Sequence, residues 1–283
     1  MIMIEKIIRS VQSIPAFPMT VHKVAELVSQ EDYAVTDLVN LIKFDQAITA
    51  NILKMSNAAY FGSRHKIKTI QEAVLYLGQQ NLLRAVQAAG VSRFYRKVSG
   101  GYVSRARDLW KHAIAVATMS QILSQKIFRC DDSVLYTAAL LHDIGKVFLG
   151  EYVQESFVRI GNLVANGGYS FLDAEKEVLG IDHAVLGGMI ADHWHFPTEI
   201  RDAIAYHHRP DLLDRDGDYV SWLVYLSDQA CLMIGVDGGI DGLAYKGLEE
   251  SLKRYHLRLQ DLEEGMIMLF ESLKGAEDVI NIV

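Results

Sequence analysis

The stretch Leu141-His142-Asp143-Ile144-Gly145-Lys146 decides how the chain is read. It follows Asp132-Ser133-Val134-Leu135-Tyr136-Thr137-Ala138-Ala139-Leu140, which reads as a buried amphipathic helix. An imidazole, a carboxylate and an ammonium within six residues of apolar helix are costly to bury without partners. Consecutive helical residues point about 100° apart, so His142 and Asp143 would flank one point and Lys146 would lie a turn beyond His142. A cation at that point would be held by imidazole nitrogen and carboxylate oxygen, leaving the lysine to meet an anion. The stretch predicts a metal-centred helical protein whose other ligands come from elsewhere in the chain.

Those ligands are visible downstream and upstream. Of ten histidines, seven fall between positions 112 and 208. The candidates are His112, His142 with Asp143, His183, the pair His207-His208, and Asp228, each placed on or at the end of a separate predicted helix. Side chains from facing helices can then converge on one point. Imidazole nitrogen combined with carboxylate oxygen favours Fe, Mn, Zn, Ni or Co over Ca or Mg. Taken singly, His112 reads as a core histidine and the 142–143 pair as a charge pair between helices; the joint set argues for metal. His208, before Arg209-Pro210, reads either as a ligand or as a solvent-facing helix end. Lys146 reads either as a phosphate contact or as a cap for its own helix end.

Outward from this stretch, apolar residues recur at three- and four-residue spacing almost throughout, which predicts an all-α fold. Thr36, Asp45, Asp132 (or Asp131), Asp182, Thr198 and Asp218 are the expected N-caps or helix starts; Thr69-Ile70-Gln71-Glu72 is a capping-box pattern, and Gly78 is placed to end that helix. A helix is expected from about 152 to 165. Ser99-Gly100-Gly101 breaks the pattern, so the expectation is an N-terminal helical bundle (1–99) packed on a second, metal-binding helical domain (100–283).

Charge changes at the same point. Residues 1–99 hold 12 Lys/Arg against 7 Asp/Glu, and the rest of the chain 16 against 28, giving the overall −7. The basic residues Arg64-His65-Lys66-Ile67-Lys68, Arg93, Arg96 and Lys97 are too sparse, and too poor in interleaved aromatics, to argue for nucleic acid. No apolar run approaches the ~18 residues needed to span a bilayer. The opening Met1-Ile2-Met3-Ile4-Glu5-Lys6-Ile7-Ile8 lacks a signal peptide's apolar core and cleavage site. Cys130 and Cys231 form no Cys-x-x-Cys and are expected as small core residues in a reducing cytoplasm.

A histidine on one helix, His-Asp-Ile-Gly-Lys on the next, then a later histidine, a His-His pair and an aspartate resembles the HD phosphohydrolase superfamily, most of all its binuclear, cyclic-di-GMP-cleaving branch. The first half is similar to the HDOD domains, the HD-related output domains of bacterial signalling. The residues that carry this likeness are Ile14-Pro15-Ala16-Phe17-Pro18, Phe44-Asp45-Gln46, Asn51-Ile52-Leu53-Lys54-Met55-Ser56-Asn57-Ala58-Ala59-Tyr60-Phe61-Gly62 and Ile70-Gln71-Glu72-Ala73-Val74-Leu75-Tyr76-Leu77-Gly78. The resemblance implies that His112, His142, Asp143 and Asp228 hold one divalent metal ion, with Asp143 able to bridge. His183, His207 and His208 would complete a second. Asp143 and Lys146 would be the catalytic residues, Lys146 also touching a substrate phosphate.

Two departures shape the functional expectation. After His207-His208 the phosphodiesterase branch carries a Gly-Tyr-Pro signature, whereas this chain reads Arg209-Pro210-Asp211-Leu212-Leu213-Asp214. HDOD domains mostly lack the metal ligands, and this chain keeps them. Two readings follow. One is a signalling output module with a structural or ligand-sensing metal site and a protein partner. The other is a metal-dependent phosphohydrolase acting on a nucleotide or cyclic dinucleotide. The first is preferred because the family implied by the first half is mostly non-catalytic.

Overall fold

The computed structural model describes residues 3–30, 32–57, 66–96, 98, 101–102, 106–213, 218–236, 248–281 and 283, and among these every regular element is a helix. In chain order they are α1 (Met3–Val11), α2 (Met19–Val28), α3 (Val35–Lys43), α4 (Gln46–Ser56), α5 (Ile70–Tyr95), α6 (Ala106–Phe128), α7 (Ser133–Leu141) and α8 (Ile144–Gly167). Then come α9 (Phe171–Leu179), α10 (His183–His193), α11 (Thr198–Tyr206), a 3-10 turn at Pro210–Leu212, α12 (Tyr219–Met233), α13 (Leu248–Arg254), α14 (Leu259–Gly275) and α15 (Glu277–Ile280). None of the described helices is long and apolar enough to cross a membrane.

The chain forms two compact units. One comprises Ala16–Arg93 and Phe270–Val283. In it α2 packs on α3, α3 on α4, and α4 on α15. Asp45 caps α4 by accepting from the Ile48 amide at 3.0 Å. Past the end of α4, Asn57 donates to the carbonyls of Leu53 (2.7 Å) and Ile67 (2.8 Å) and accepts from the Ile67 amide (2.8 Å). One amide side chain therefore ties the last turn of α4 to Ile67. Most of the segment 58–66, including Tyr60-Phe61 and the basic Arg64-His65, lies outside the described residues, as do Lys97 and Ser99-Gly100. The capping box forms with a shift: Thr69 accepts from the Glu72 amide, but Glu72 reaches back to the Lys68 amide instead of that of Thr69. Gly78, at φ 68° and ψ 174°, breaks α5 as its position suggests, and helix resumes directly after it.

The other unit comprises Met1–Pro15 and Phe94–Leu269 and carries all the candidate ligands. Its centre is built from α6, α7, α8, α10, α11 and α12: α6 packs on α7 and α12, α10 on α8 and α11, and α11 on α7 and α12. Asp132 caps α7 by accepting from the amides of Val134 and Leu135, both at 2.9 Å. Ser170 caps α9, Asp182 caps α10 and Asp218 caps α12. Because α7 is buried on nearly every face, its cap fixes the residue at which His142 emerges. Asp132→Ala is expected to cost about 1–2 kcal/mol, read as a melting point lower by roughly 3–6 °C; a melt unchanged within about 1 °C would exclude the capping role.

Four expectations are corrected here. Thr36 and Thr198 cap nothing: Thr36 is the second residue of α3, whose N-cap is Ala34, Thr198 is the first of α11, whose N-cap is Pro197, and neither N-cap residue gives a side-chain bond. The helix expected from about 152 begins at Ile144, because the apolar period continues unbroken back to that residue. His142 and Asp143 are consequently not successive residues of one helix. They form the break between α7 and α8, with Asp143 at φ −96° and ψ 13°. Finally, Cys231 is buried but Cys130 is exposed, in the short turn before Asp132.

Candidate metal centre

The helix ends set the geometry. His142 closes α7, Asp143 precedes α8, His183 opens α10, and His207-His208 follow α11. Only His112 and Asp228 project from helix interiors, those of α6 and α12. Close backbone approach lets the ends meet. A Cβ on Gly145 would lie 1.9 Å from the His183 carbonyl oxygen, and one on Gly187 would lie 2.8 Å from Ile204 Cγ2. Glycine at these two positions brings the starts of α8 and α10 together and seats α10 on α11.

Asp143 is the hub, fully buried. Its Oδ2 lies 3.3 Å from His142 Nε2 and 3.6 Å from His112 Nε2. Its Oδ1 lies 3.6 Å from both His183 Nε2 and His207 Nε2. Asp228 Oδ1 is 3.1 Å from His112 Nε2 and 4.0 Å from His142 Nε2. His183 Nε2 and His208 Nε2 are 2.8 Å apart. Two donor groups therefore share one carboxylate. In Asp143, His183, His207 and His208, and again in His112, His142 and Asp143, one ligand atom per residue lies within 4.8 Å of the others. Lys146 donates to Asp143 Oδ2 at 2.8 Å, and its ammonium also sits 5.8 Å from the centre of the Tyr102 ring. In the structure the Lys146 ammonium is thus paired with the Asp143 carboxylate.

The imidazoles are oriented for ligation. Nδ1 donates to a main-chain carbonyl in three of them: His112 to Val236 (2.8 Å), His142 to Ala139 (2.7 Å) and His207 to Ile204 (2.7 Å). A carbonyl can only accept, so Nδ1 carries a proton in each ring and Nε2 is the nitrogen that faces the other candidate ligands. His183 Nδ1 is bound instead by Glu175 Oε2 at 2.8 Å, and Glu175 Oε1 accepts the Tyr102 hydroxyl. Among the buried polar atoms, His142 Nε2, Asp143 Oδ1 and His207 Nε2 make no hydrogen bond. Atoms of that kind, aimed at one another in a buried centre, fit a cation better than they fit each other.

Electrostatics point the same way. Burial works against charge on Asp143, but His142 and Lys146 hold its carboxyl well below the usual range. Burial likewise opposes charge on Asp228 and His112, yet their mutual hydrogen bond lowers the carboxyl and raises the imidazole. That pair marks a place where positive charge is favoured. Burial lowers His207 and, aided by His207 and His183, lowers His208 far, so both present neutral nitrogen. Against burial, the charge of Glu175 lifts His183 to about 9.

All seven candidate ligands and Lys146 therefore meet in one unit. The sequence reading did not include Glu175 and Tyr102, which hold His183, nor the carbonyls that orient the other rings. Asking what binds the second nitrogen of each candidate histidine would have directed attention to acidic residues near position 183, Glu175 among them.

A family model, the HDOD domain, matches residues 14–210. An HDOD domain protein of unknown function from Geobacter sulfurreducens superposes with a TM-score of 0.80 at 22% identity, over 98% of both chains. A candidate phosphohydrolase from Shewanella amazonensis superposes with a TM-score of 0.72 at 21% identity, over 96% of this chain and 97% of that one. An uncharacterized Treponema pallidum protein is 24% identical over 207 residues, which are 70% of this chain but 38% of that protein, so the chain spans well under half of this relative's length. The structural likenesses establish the fold, and the family match covers more than half of the sequence. The chain belongs to the HDOD family.

Proposed function

We propose that this chain is a signal-transduction output module whose HD-type site, within residues 100–283, holds one or two divalent transition-metal ions (Fe, Mn, Ni or Zn), and that it recruits a signalling protein in the cytoplasm. The observation that carries the reading is the burial of every candidate ligand: His208 is the most exposed at 8%, and Asp143, His183 and His207 are at 0%. A hydrolytic ion keeps a position open to water and substrate, whereas a structural ion is enclosed by its protein ligands. The Gly-Tyr-Pro element of the cyclic-di-GMP phosphodiesterases is replaced by a 3-10 turn after Arg209, whose guanidinium pairs with Asp173 at 2.8 Å.

A second reading, a metal-dependent phosphohydrolase, is favoured by Lys146, an ammonium placed beside the hub carboxylate. In that reading a bound ion supplies Lewis acidity and an acidified water. Lys146 would meet a phosphate oxygen, and Asp143 would orient both donor groups. The comparison with a candidate phosphohydrolase supports this reading at the level of fold.

One set of measurements separates them. Chelator-stripped protein given Mn2+, Fe2+, Ni2+ or Zn2+ at about a hundred times the dissociation constant should gain roughly 2.7 kcal/mol, or about 5 °C or more in melting point. No shift with any of the four ions would end the metal reading. Metal-loaded protein is then assayed on a panel of nucleotides and cyclic dinucleotides. Silence across the panel at stoichiometric metal supports the module, whereas turnover abolished in His142→Ala and Asp143→Ala overturns it.

A further inference from the structure

We propose that Glu175 and Tyr102 are positioning residues for one half of the metal centre, so that uptake of the ion at His183, His207 and His208 depends on them while uptake at His112, His142 and Asp228 does not. The inference rests on the metal reading above.

Glu175 is fully buried on α9, eight residues before His183. Its Oε2 accepts from the His183 amide (3.0 Å) as well as from Nδ1 (2.8 Å), and its Oε1 accepts from the Tyr102 hydroxyl. Three donors offset the cost of burying this carboxylate. Capping alone does not account for it. Asp182 already caps α10 through the Val185 amide at 2.8 Å, and a cap has no use for a ring nitrogen. The Tyr102 ring also stands edge-on to the His183 ring, with centroids 5.8 Å apart. The turn carrying it is pressed against α8, since a Cβ on Gly101 would lie 2.3 Å from the Gly150 carbonyl oxygen. Tyr102 is therefore tied to the backbone on one side and to the carboxylate on the other.

The two halves differ in this respect. His112, His142 and His207 are oriented by main-chain carbonyls, which are neutral and part of the helices themselves. His183 alone among these four is oriented by a charged side chain. A carboxylate on the far nitrogen fixes the ring and makes the near nitrogen a stronger donor, and loss of such a partner typically costs 10–100-fold in metal affinity.

The test is a Co2+ titration of chelator-stripped wild type, Glu175→Ala, Glu175→Gln and Tyr102→Phe, following visible absorption, bound cobalt by elemental analysis, and melting point. Wild type should bind two ions. Glu175→Ala should weaken one of them by about 10–100-fold and leave the other within about twofold. Glu175→Gln keeps an acceptor for Nδ1–H without the charge, so it should fall between; it also carries the test if the alanine variant does not fold. Tyr102→Phe should act on the same ion, by less than about tenfold. Equal weakening of both ions, or of neither, would overturn the proposal, as would a wild type that binds a single ion. A wild type that takes up no cobalt would instead remove the metal reading beneath it.

Discussion

Asp143→Asn is expected to reduce metal affinity at both halves of the centre, by at least about 100-fold each. Asp143 faces His112 and His142 through one oxygen and His183 and His207 through the other, all within 3.6 Å. Loss of a partner one shell further out costs 10–100-fold, so a shared ligand should cost at least the upper end of that range for each ion. The amide keeps the side chain's volume, so packing is nearly conserved and the loss reads as charge and coordination. Lys146 loses the charge of its 2.8 Å carboxylate partner in the same step and stays buried. Breaking a buried pair in this way costs about 3–5 kcal/mol, so the metal-free variant should also melt lower. Co2+ titration with elemental analysis reads the first effect and a thermal melt the second. One ion retained at close to wild-type affinity would show that Asp143 serves a single half.

How much of this was legible beforehand varies with the physics of each residue. The caps at Asp45, Asp132, Asp182 and Asp218 were readable because a short acceptor just before an apolar period has one local use, and the structure gives each of them an amide to accept. Thr36 and Thr198 failed under the same rule. A β-branched threonine can also sit in the first turn, and Ala34 and Pro197 supplied the extended backbone before it. The choice of His112, His142, Asp143, His183, His207, His208 and Asp228 came from residue type and order, which the chain displays openly. Their meeting depends on how α10 seats against α8 and α11, and that is decided by Gly145, Gly187 and Gly188, whose role no local pattern signals. Glu175 was hidden for a related reason. On paper it is one acidic residue in the polar stretch Asp173-Ala174-Glu175-Lys176-Glu177, and only the turn into α10 separates it from its two equivalents.

The glycines supply the second large effect, because the same substitution on one helix should act with opposite sign at two positions. Gly145 and Gly161 both lie in α8. At Gly145 an added methyl would sit 1.9 Å from the His183 carbonyl oxygen and 3.0 Å from the Gly187 amide nitrogen, both main-chain atoms that cannot rotate away. Either α10 moves off α8 or the start of α8 unwinds. Overpacking of this kind costs about 3 kcal/mol or more when the obstacle is rigid, equivalent to roughly 6–9 °C in a chain of this size. At Gly161 nothing lies within 4 Å of the same methyl, and the site is a helix interior facing partly to solvent. There alanine should stabilise by about 0.5–1 kcal/mol, because it restricts the unfolded chain and favours helix. Melts of Gly145→Ala and Gly161→Ala are best compared on chelated protein, so that ligand binding cannot mask the packing term. The first variant should then also bind metal more weakly, since displacing the start of α10 carries His183 with it. A Gly145→Ala protein melting within about 1 °C of wild type would mean that the α8 and α10 backbones do not touch, and the route by which His183 reaches Asp143 would have to be redrawn.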